Sequence, residues 1–103
     1  MDKKFAVSVF GSGSYGSSLA VSIARKGLDV MLWGFDAAEV EAIRSTRRNE
    51  KYLPGIDFPD SISLTNSISE AVEASEILLV VVPSSFFGNT LLSMKPFIRP
   101  GQR

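Results

Sequence analysis

Phe5-Ala-Val-Ser-Val-Phe10 runs directly into Gly11-Ser-Gly13-Ser-Tyr-Gly16, and the fold turns on how this junction is read. A G-x-G-x-x-G pattern alone is a weak signal. Placed after a strand-like apolar run and ahead of a helix-like one, it reads as a nucleotide-binding turn. Gly11 then makes the tight turn, and Gly13 lets backbone approach a pyrophosphate with no Cβ in the way. Gly16 lets helix and strand pack closely. The unpaired N–H groups and the dipole of the helix start hold the phosphates. An ordinary glycine-rich βα turn has the same letters, so the rest of the chain has to decide.

Working outward, strand-like and helix-like segments alternate. After the strand Phe5–Phe10, a helix is expected over Ser14–Lys26, with Leu19, Ala20, Ile23 and Ala24 on its apolar stripe. Arg25-Lys26 followed by Gly27 is a helix stop. Asp29–Gly34 reads as the second strand, and its Val-Met-Leu-Trp run suits a sheet covered on both faces. Asp36-Ala-Ala-Glu39 and Ser67-Ile-Ser-Glu70 have capping-box spacing and open two further helices. Between them, Tyr52-Leu-Pro54-Gly55 and Pro59-Asp60 read as a loop without periodicity, ahead of a short strand Ile62–Leu64. Glu76–Val82 is the strongest strand, ended by Pro83, and Phe86–Met94 is the last helix.

This is βαβαβαβα, the mark of a doubly wound parallel sheet of Rossmann type. Right-handed crossovers make 3-2-1-4 the expected strand order. Pro100-Gly-Gln-Arg103 has the look of a turn feeding another strand, so the sheet reads as truncated before strand five.

Composition narrows the function. The 103 residues form one domain, with 45% apolar and 21% charged residues, and a chain of this size buries roughly two-thirds of its unfolded surface. Eleven basic and eleven acidic residues cancel, which argues against nucleic acid or an anionic membrane as a partner bound through net charge. With no cysteine and no histidine, thiol nucleophiles, thiolate metal sites and Ser-His triads are excluded within this chain. Met1-Asp-Lys-Lys4 is followed by only six apolar-leaning residues, too short for a signal-peptide h-region, and no run reaches membrane-spanning length. A cytoplasmic location is the simplest expectation.

Several side chains stand where a dinucleotide would lie. The backbone of Ser14 and Tyr15 faces the expected pyrophosphate; the Ser14 hydroxyl either adds a hydrogen bond or caps the helix. Tyr15 is either a ligand contact or a half-buried helix-start aromatic. A carboxylate at the end of the second strand usually bonds the ribose, but Gly34 holds that place here. Asp36 is better explained as the N-cap of the following helix. Phe35 offers a flat apolar surface for adenine, or else it belongs to the core. The Pro83 turn follows the second central strand, at the topological switch point, and Phe86 is placed to flank ribose or adenine. Phe87 fits packing under the last helix with Leu91 and Leu92. The Arg44, Arg47, Arg48 and Lys51 cluster reads as a solvated helix end complementing the dipole rather than an anion site.

Taken together, Gly11-Ser-Gly-Ser-Tyr-Gly-Ser-Ser-Leu-Ala20, Leu32-Trp-Gly34, Tyr52-Leu-Pro-Gly55, Val80-Val-Val-Pro-Ser84 with Phe87-Gly88, and Lys95-Pro-Phe-Ile-Arg-Pro-Gly101 resemble the N-terminal dinucleotide-binding domain of bacterial NAD(P)-dependent glycerol-3-phosphate dehydrogenase. The resemblance covers nearly the whole chain in order. It implies that Ser14, Tyr15 and the residue at 35 contact NAD or NADP. It also implies reduction of dihydroxyacetone phosphate to sn-glycerol 3-phosphate, a phospholipid precursor, by a longer protein, homodimeric in its full-length form.

Many members of that family carry Arg or His where this chain has Phe35, so the chain resembles the NAD-using relatives. The family's Thr-Lys-Gly segment and proton-transferring lysine have no counterpart in residues 1–103, so no catalytic residue is expected here and the C-terminal helical domain is absent. The rival reading is a non-catalytic NAD(H)-binding regulatory domain of the same fold.

Overall fold

A computed structural model describes residues 5–103; residues 1–4, the basic start used in the signal-peptide reading, lie outside the described residues. Strand β1 (Val7–Phe10) leads through the glycine turn into helix α1 (Ser14–Ala24), then β2 (Val30–Trp33) and α2 (Ala37–Thr46). A short pair, β3 (Arg48–Asn49) and β4 (Leu53–Asp57), precedes β5 (Ile62–Thr65), α3 (Ile68–Ala74), β6 (Leu78–Val80) and α4 (Ser84–Met94). The main sheet has four strands in the order β5-β2-β1-β6, all parallel. In terms of the four strands expected from the sequence, this is the 3-2-1-4 order.

Period-2 alternation builds two cores. Val7 and Val9 of β1, with Val30 and Leu32 of β2, meet Ala20, Val21 and Ala24 of α1 and Val40 and Ile43 of α2. Phe10, Met31 and Trp33 point the other way, onto Ala71 and Val72 of α3 and Met94 of α4. The buried face of α1 includes Gly16, Ser17, Ala20, Val21 and Ala24, a stripe rotated from the expected one, with Leu19 left half-exposed. Small residues on that face let the helix lie close to the strands.

Ser8 shares the second face, is fully buried, and its hydroxyl has no hydrogen-bond partner among the described residues. An unpaired buried hydroxyl is costly, so Ser8→Ala is expected to raise stability by about 1 kcal/mol. Urea unfolding measures this, and a lower midpoint in the variant would show that the hydroxyl is satisfied after all.

Both expected caps form. The Asp36 carboxylate accepts from the N–H groups of Ala38 and Glu39, and the Ser67 hydroxyl accepts from the Glu70 N–H. Neither glutamate reaches back to close a box: Glu39 pairs with Lys51, and Glu70 accepts from Thr65.

Four expectations need correction. Residues 48–57 are an antiparallel hairpin rather than a loop, with Arg48 opposite Asp57 and Asn49 opposite Leu53. Pro54 and Gly55 hide its periodicity, and its Leu53 and Ile56 pack on the first core. The basic cluster is not simply solvated. Arg44 donates to the Leu64 carbonyl at 2.6 Å, and Arg47 to those of Pro59 and Ile62 at 2.7 and 2.8 Å. Both guanidiniums thus tie α2 to the chain entering β5. The last strand is shorter than Glu76–Val82, spanning only Leu78–Val80, although the Val81 N–H still donates to the Phe10 carbonyl at 2.8 Å. Finally, Phe87 and Leu92 are exposed rather than packed under α4.

On the outer side of β6, the Leu78 N–H donates to the Arg103 carbonyl and the Arg103 N–H to that of Glu76. Among the described residues, no helix is long and apolar enough to cross a membrane.

Candidate functional site

A cavity of about 880 Å³ opens at the carboxyl ends of β1 and β6, where the chain direction across the sheet reverses. The glycine turn forms one wall, and the β6–α4 turn forms another. The β2–α2 turn and Tyr52 of the hairpin close the rim. All of Gly11, Gly13, Ser14, Tyr15, Gly16, Phe35, Pro83 and Phe86 line this cavity, together with Asp36, Glu39, Tyr52 and Asn66.

Two of the three glycines are fixed by the protein itself. Gly11 has φ +129°, and a Cβ there would stand 2.9 Å from the Val81 carbonyl oxygen. A Cβ on Gly16 would collide with the carbonyl of Gly11, so any side chain there pushes α1 off β1. Gly13 differs in kind. Its backbone is extended (φ −72°, ψ −169°), a conformation open to any residue, and a Cβ there would meet nothing within 4 Å. The protein gives no reason for glycine at 13; open space in the cavity wall does.

That wall is also rich in unanswered donors. Gly13 is the N-cap of α1 and supplies no side-chain cap; Pro83 at the start of α4 supplies none either. Among the described residues, no protein acceptor takes the N–H of Gly13, Ser14 or Tyr15. The alternative of Ser14 as a side-chain cap is therefore set aside, since it occupies the first helical position instead. A helix start with free N–H groups and the positive end of the dipole is suited to an anion. Tyr15 is 68% exposed over this wall and is not a half-buried packing residue.

The far end of the cavity is aromatic. Phe35 is 80% exposed, which removes the core reading for it. Its ring meets Trp33 edge-on at 6.4 Å and lies nearly parallel to Phe86, also at 6.4 Å. Asn66 holds the turn beneath, donating to the carbonyls of Gly34 and Phe35 at 2.9 and 2.7 Å. Its own carbonyl accepts from the Trp33 indole. A Cβ at Gly34 would stand 2.6 Å from a Val40 methyl and 2.7 Å from the Ser12 hydroxyl, so a side chain there would require those two side chains to shift.

The charges at this rim are Asp36, committed to its cap, and Glu39, bonded to Lys51 at 3.0 Å. That bond, with Tyr52 adding to it, holds the Lys51 ammonium above its ordinary pKa. Arg44 and Arg47 do not line the cavity.

Tyr52 and Asn66 line the cavity and Asn49 bonds to the Ser12 carbonyl behind the glycine turn, although the sequence does not announce them. Tyr52 sits in a family-like motif that assigns it no role, and the asparagines act through partners far along the chain. Nothing local to either asparagine signals this.

The comparisons with known proteins agree with this geometry. The family described as NAD-dependent glycerol-3-phosphate dehydrogenase N-terminus matches residues 6–103. Glycerol-3-phosphate dehydrogenase (NAD(P)+) of Tolumonas auensis is 50% identical over 103 residues, covering 100% of this chain and 31% of that protein. Its counterpart in Vibrio campbellii is 48% identical over 101 residues, or 98% of this chain and 29% of that one. The crystal structure of glycerol-3-phosphate dehydrogenase from Coxiella burnetii superposes with a TM-score of 0.93 at 33% identity, over 97% of this chain and 31% of its own. The chain spans about three-tenths of the length of each of these proteins. With residues 6–103 accounted for by one family model and the same fold in its solved relative, the chain belongs to the NAD-dependent glycerol-3-phosphate dehydrogenase family, of which it represents the N-terminal region.

Proposed function

We propose that the cleft binds NAD(H) or NADP(H), and that these residues are the cofactor-binding part of a glycerol-3-phosphate dehydrogenase acting on dihydroxyacetone phosphate and sn-glycerol 3-phosphate. The observation that carries the reading is the glycine turn. Among the described residues, the N–H groups of Gly13, Ser14 and Tyr15 lack protein acceptors, and no protein atom lies within 4 Å of where a Gly13 Cβ would stand. The residues therefore fit a pyrophosphate, held by the backbone of Gly13, Ser14 and Tyr15. Gly11 and Gly16 keep the turn close to the sheet. Phe35, with Phe86 facing it, offers ring surface to the adenine end, and the Pro83 turn borders the middle of the cleft. When bound, the nicotinamide supplies hydride exchange with the substrate carbonyl carbon. This chain's residues orient the cofactor for it. The substrate proton is expected to be handled by a residue outside residues 1–103. Calorimetric titration with NADH tests the reading: saturable one-to-one binding is expected, and no binding would sink it.

Cofactor preference follows from the rim. A 2′-phosphate wants a charge-assisted partner such as an Arg fork. Phe35 supplies none, Asp36 and Glu39 are anionic, and Lys51 is already paired. Arg44 and Arg47 are engaged with main-chain carbonyls elsewhere. NADH should therefore bind at least as well as NADPH. Phe35→Arg should shift preference toward NADPH by roughly 1–3 kcal/mol, the range for hydrogen bonds to charged groups. Dissociation constants for both cofactors, in parent and variant, check this. Strong NADPH preference in the parent would show that another cation reaches the phosphate.

A further inference from the structure

Asn49 lies on the hairpin strand β3, outside the glycine motif, and is only 4% exposed. Its Nδ2 donates to the Ser12 carbonyl at 2.7 Å and lies 2.9 Å from the Ser17 hydroxyl. The Tyr52 N–H donates to its Oδ1 at 3.3 Å. The amide's orientation is set by its surroundings, since a backbone N–H on one side requires the oxygen there and a carbonyl on the other requires the nitrogen. The Ser17 hydroxyl, on the buried face of α1, also donates to the Ser12 carbonyl, at 3.0 Å. Two donors thus pull the same carbonyl into the protein.

That carbonyl belongs to the peptide joining Ser12 to Gly13. In a trans peptide the C=O and the following N–H point in opposite directions, and no described peptide bond is cis. Holding the Ser12 oxygen inward therefore aims the Gly13 N–H outward, toward the cavity where it has no protein acceptor. Glycine at 13 makes the plane easy to rotate, because a residue without Cβ has many backbone conformations of similar energy. An anion site made of backbone donors loses strength when those donors must first be turned into place. The second, buried layer of hydrogen bonds supplies that orientation in advance.

We infer that Asn49 is a positioning residue for the anion-binding turn, acting with Ser17 to lock the Ser12–Gly13 peptide with its N–H facing the phosphate site. The inference rests on the reading of the cleft as a dinucleotide site. Asn49 touches no ligand in this account, so its effect must appear in the phosphate-dependent part of binding alone. It also couples the hairpin to the turn, which gives the β3–β4 pair a task beyond covering the core.

The test compares two ligands on parent, Asn49→Ala and Ser17→Ala proteins by calorimetry. NADH carries the pyrophosphate, whereas adenosine keeps the base and ribose without any phosphate. Both variants should bind NADH more weakly, Asn49→Ala by about tenfold, as expected for weakening one charge-assisted hydrogen bond. Adenosine binding should be unchanged. A parent that fails to bind NADH would overturn the cleft reading, and this inference with it. A parent that binds, with variants that match its NADH affinity, overturns the inference alone. Equal losses for both ligands would also overturn it, since they mark a general structural role. If Asn49→Ala fails to fold, Ser17→Ala decides on the same criteria.

Discussion

Gly13→Val is expected to abolish NADH binding while the protein stays folded. The extended backbone at 13 accepts a β-branched residue without strain, and the new side chain enters space where no protein atom lies within 4 Å of the first carbon. The cost to folding is confined to a poorer helix N-cap, less than about 1 kcal/mol. Binding suffers far more. An isopropyl group in front of the Gly13 and Ser14 N–H groups keeps the pyrophosphate out of hydrogen-bonding range. Losing two charge-assisted bonds at roughly 1.5–3 kcal/mol each lowers affinity by at least about a hundredfold. Thermal unfolding and NADH titration on the same sample separate the two effects. Retained affinity would mean that phosphate does not lie against this turn.

The glycine turn that this substitution probes is legible in the sequence, because its meaning depends only on the segments flanking it. The order of the main sheet is legible for a related reason. Strand-helix alternation is written locally, in periods of 2 and 3.6, so that order follows from the apolar runs and the handedness of crossovers. The 48–57 hairpin is not legible. Its strands are two and five residues long, and Pro54 and Gly55 interrupt the only stretch long enough to show alternation.

Contacts that cross the chain are equally silent. Asn49 acts on Ser12 and Ser17, 37 and 32 positions away. Asn66 acts on Gly34 and Phe35, 32 and 31 positions away. An asparagine in an irregular stretch reads as a turn former, and only folding shows which carbonyls it meets. Gly34 stands out in the sequence as the wrong residue for a ribose-binding acid. A side chain there would also crowd a Val40 methyl and the Ser12 hydroxyl, both within 2.7 Å of its first carbon.

Gly16→Ala is expected to do the reverse of Gly13→Val and strike the fold first. Position 16 is inside α1, where alanine is intrinsically the better residue by about 1 kcal/mol. On propensity alone the substitution would stabilise. Packing decides otherwise. A Cβ at 16 would collide with the Gly11 carbonyl oxygen, and it would stand 2.8 Å from the carbonyl carbon and 2.9 Å from a Val81 methyl. Two of these three are backbone atoms of the turn, which cannot swing aside as a side-chain end can. The helix must therefore lift from β1, loosening Ala20 and Ala24 against the sheet. Overpacking of this kind costs about 3 kcal/mol, at the upper end of its usual range, which leaves a net loss of about 2 kcal/mol after the propensity gain. Gly13→Ala is the internal control, with the same added carbon three positions earlier and no protein atom in its way. Denaturant unfolding of both variants should show a clear drop in midpoint for Gly16→Ala and a much smaller one, from the poorer helix N-cap, for Gly13→Ala. Equal stability of the two would mean that α1 does not lie this close to the turn, and the close approach of helix and strand assigned to the third glycine would fail with it.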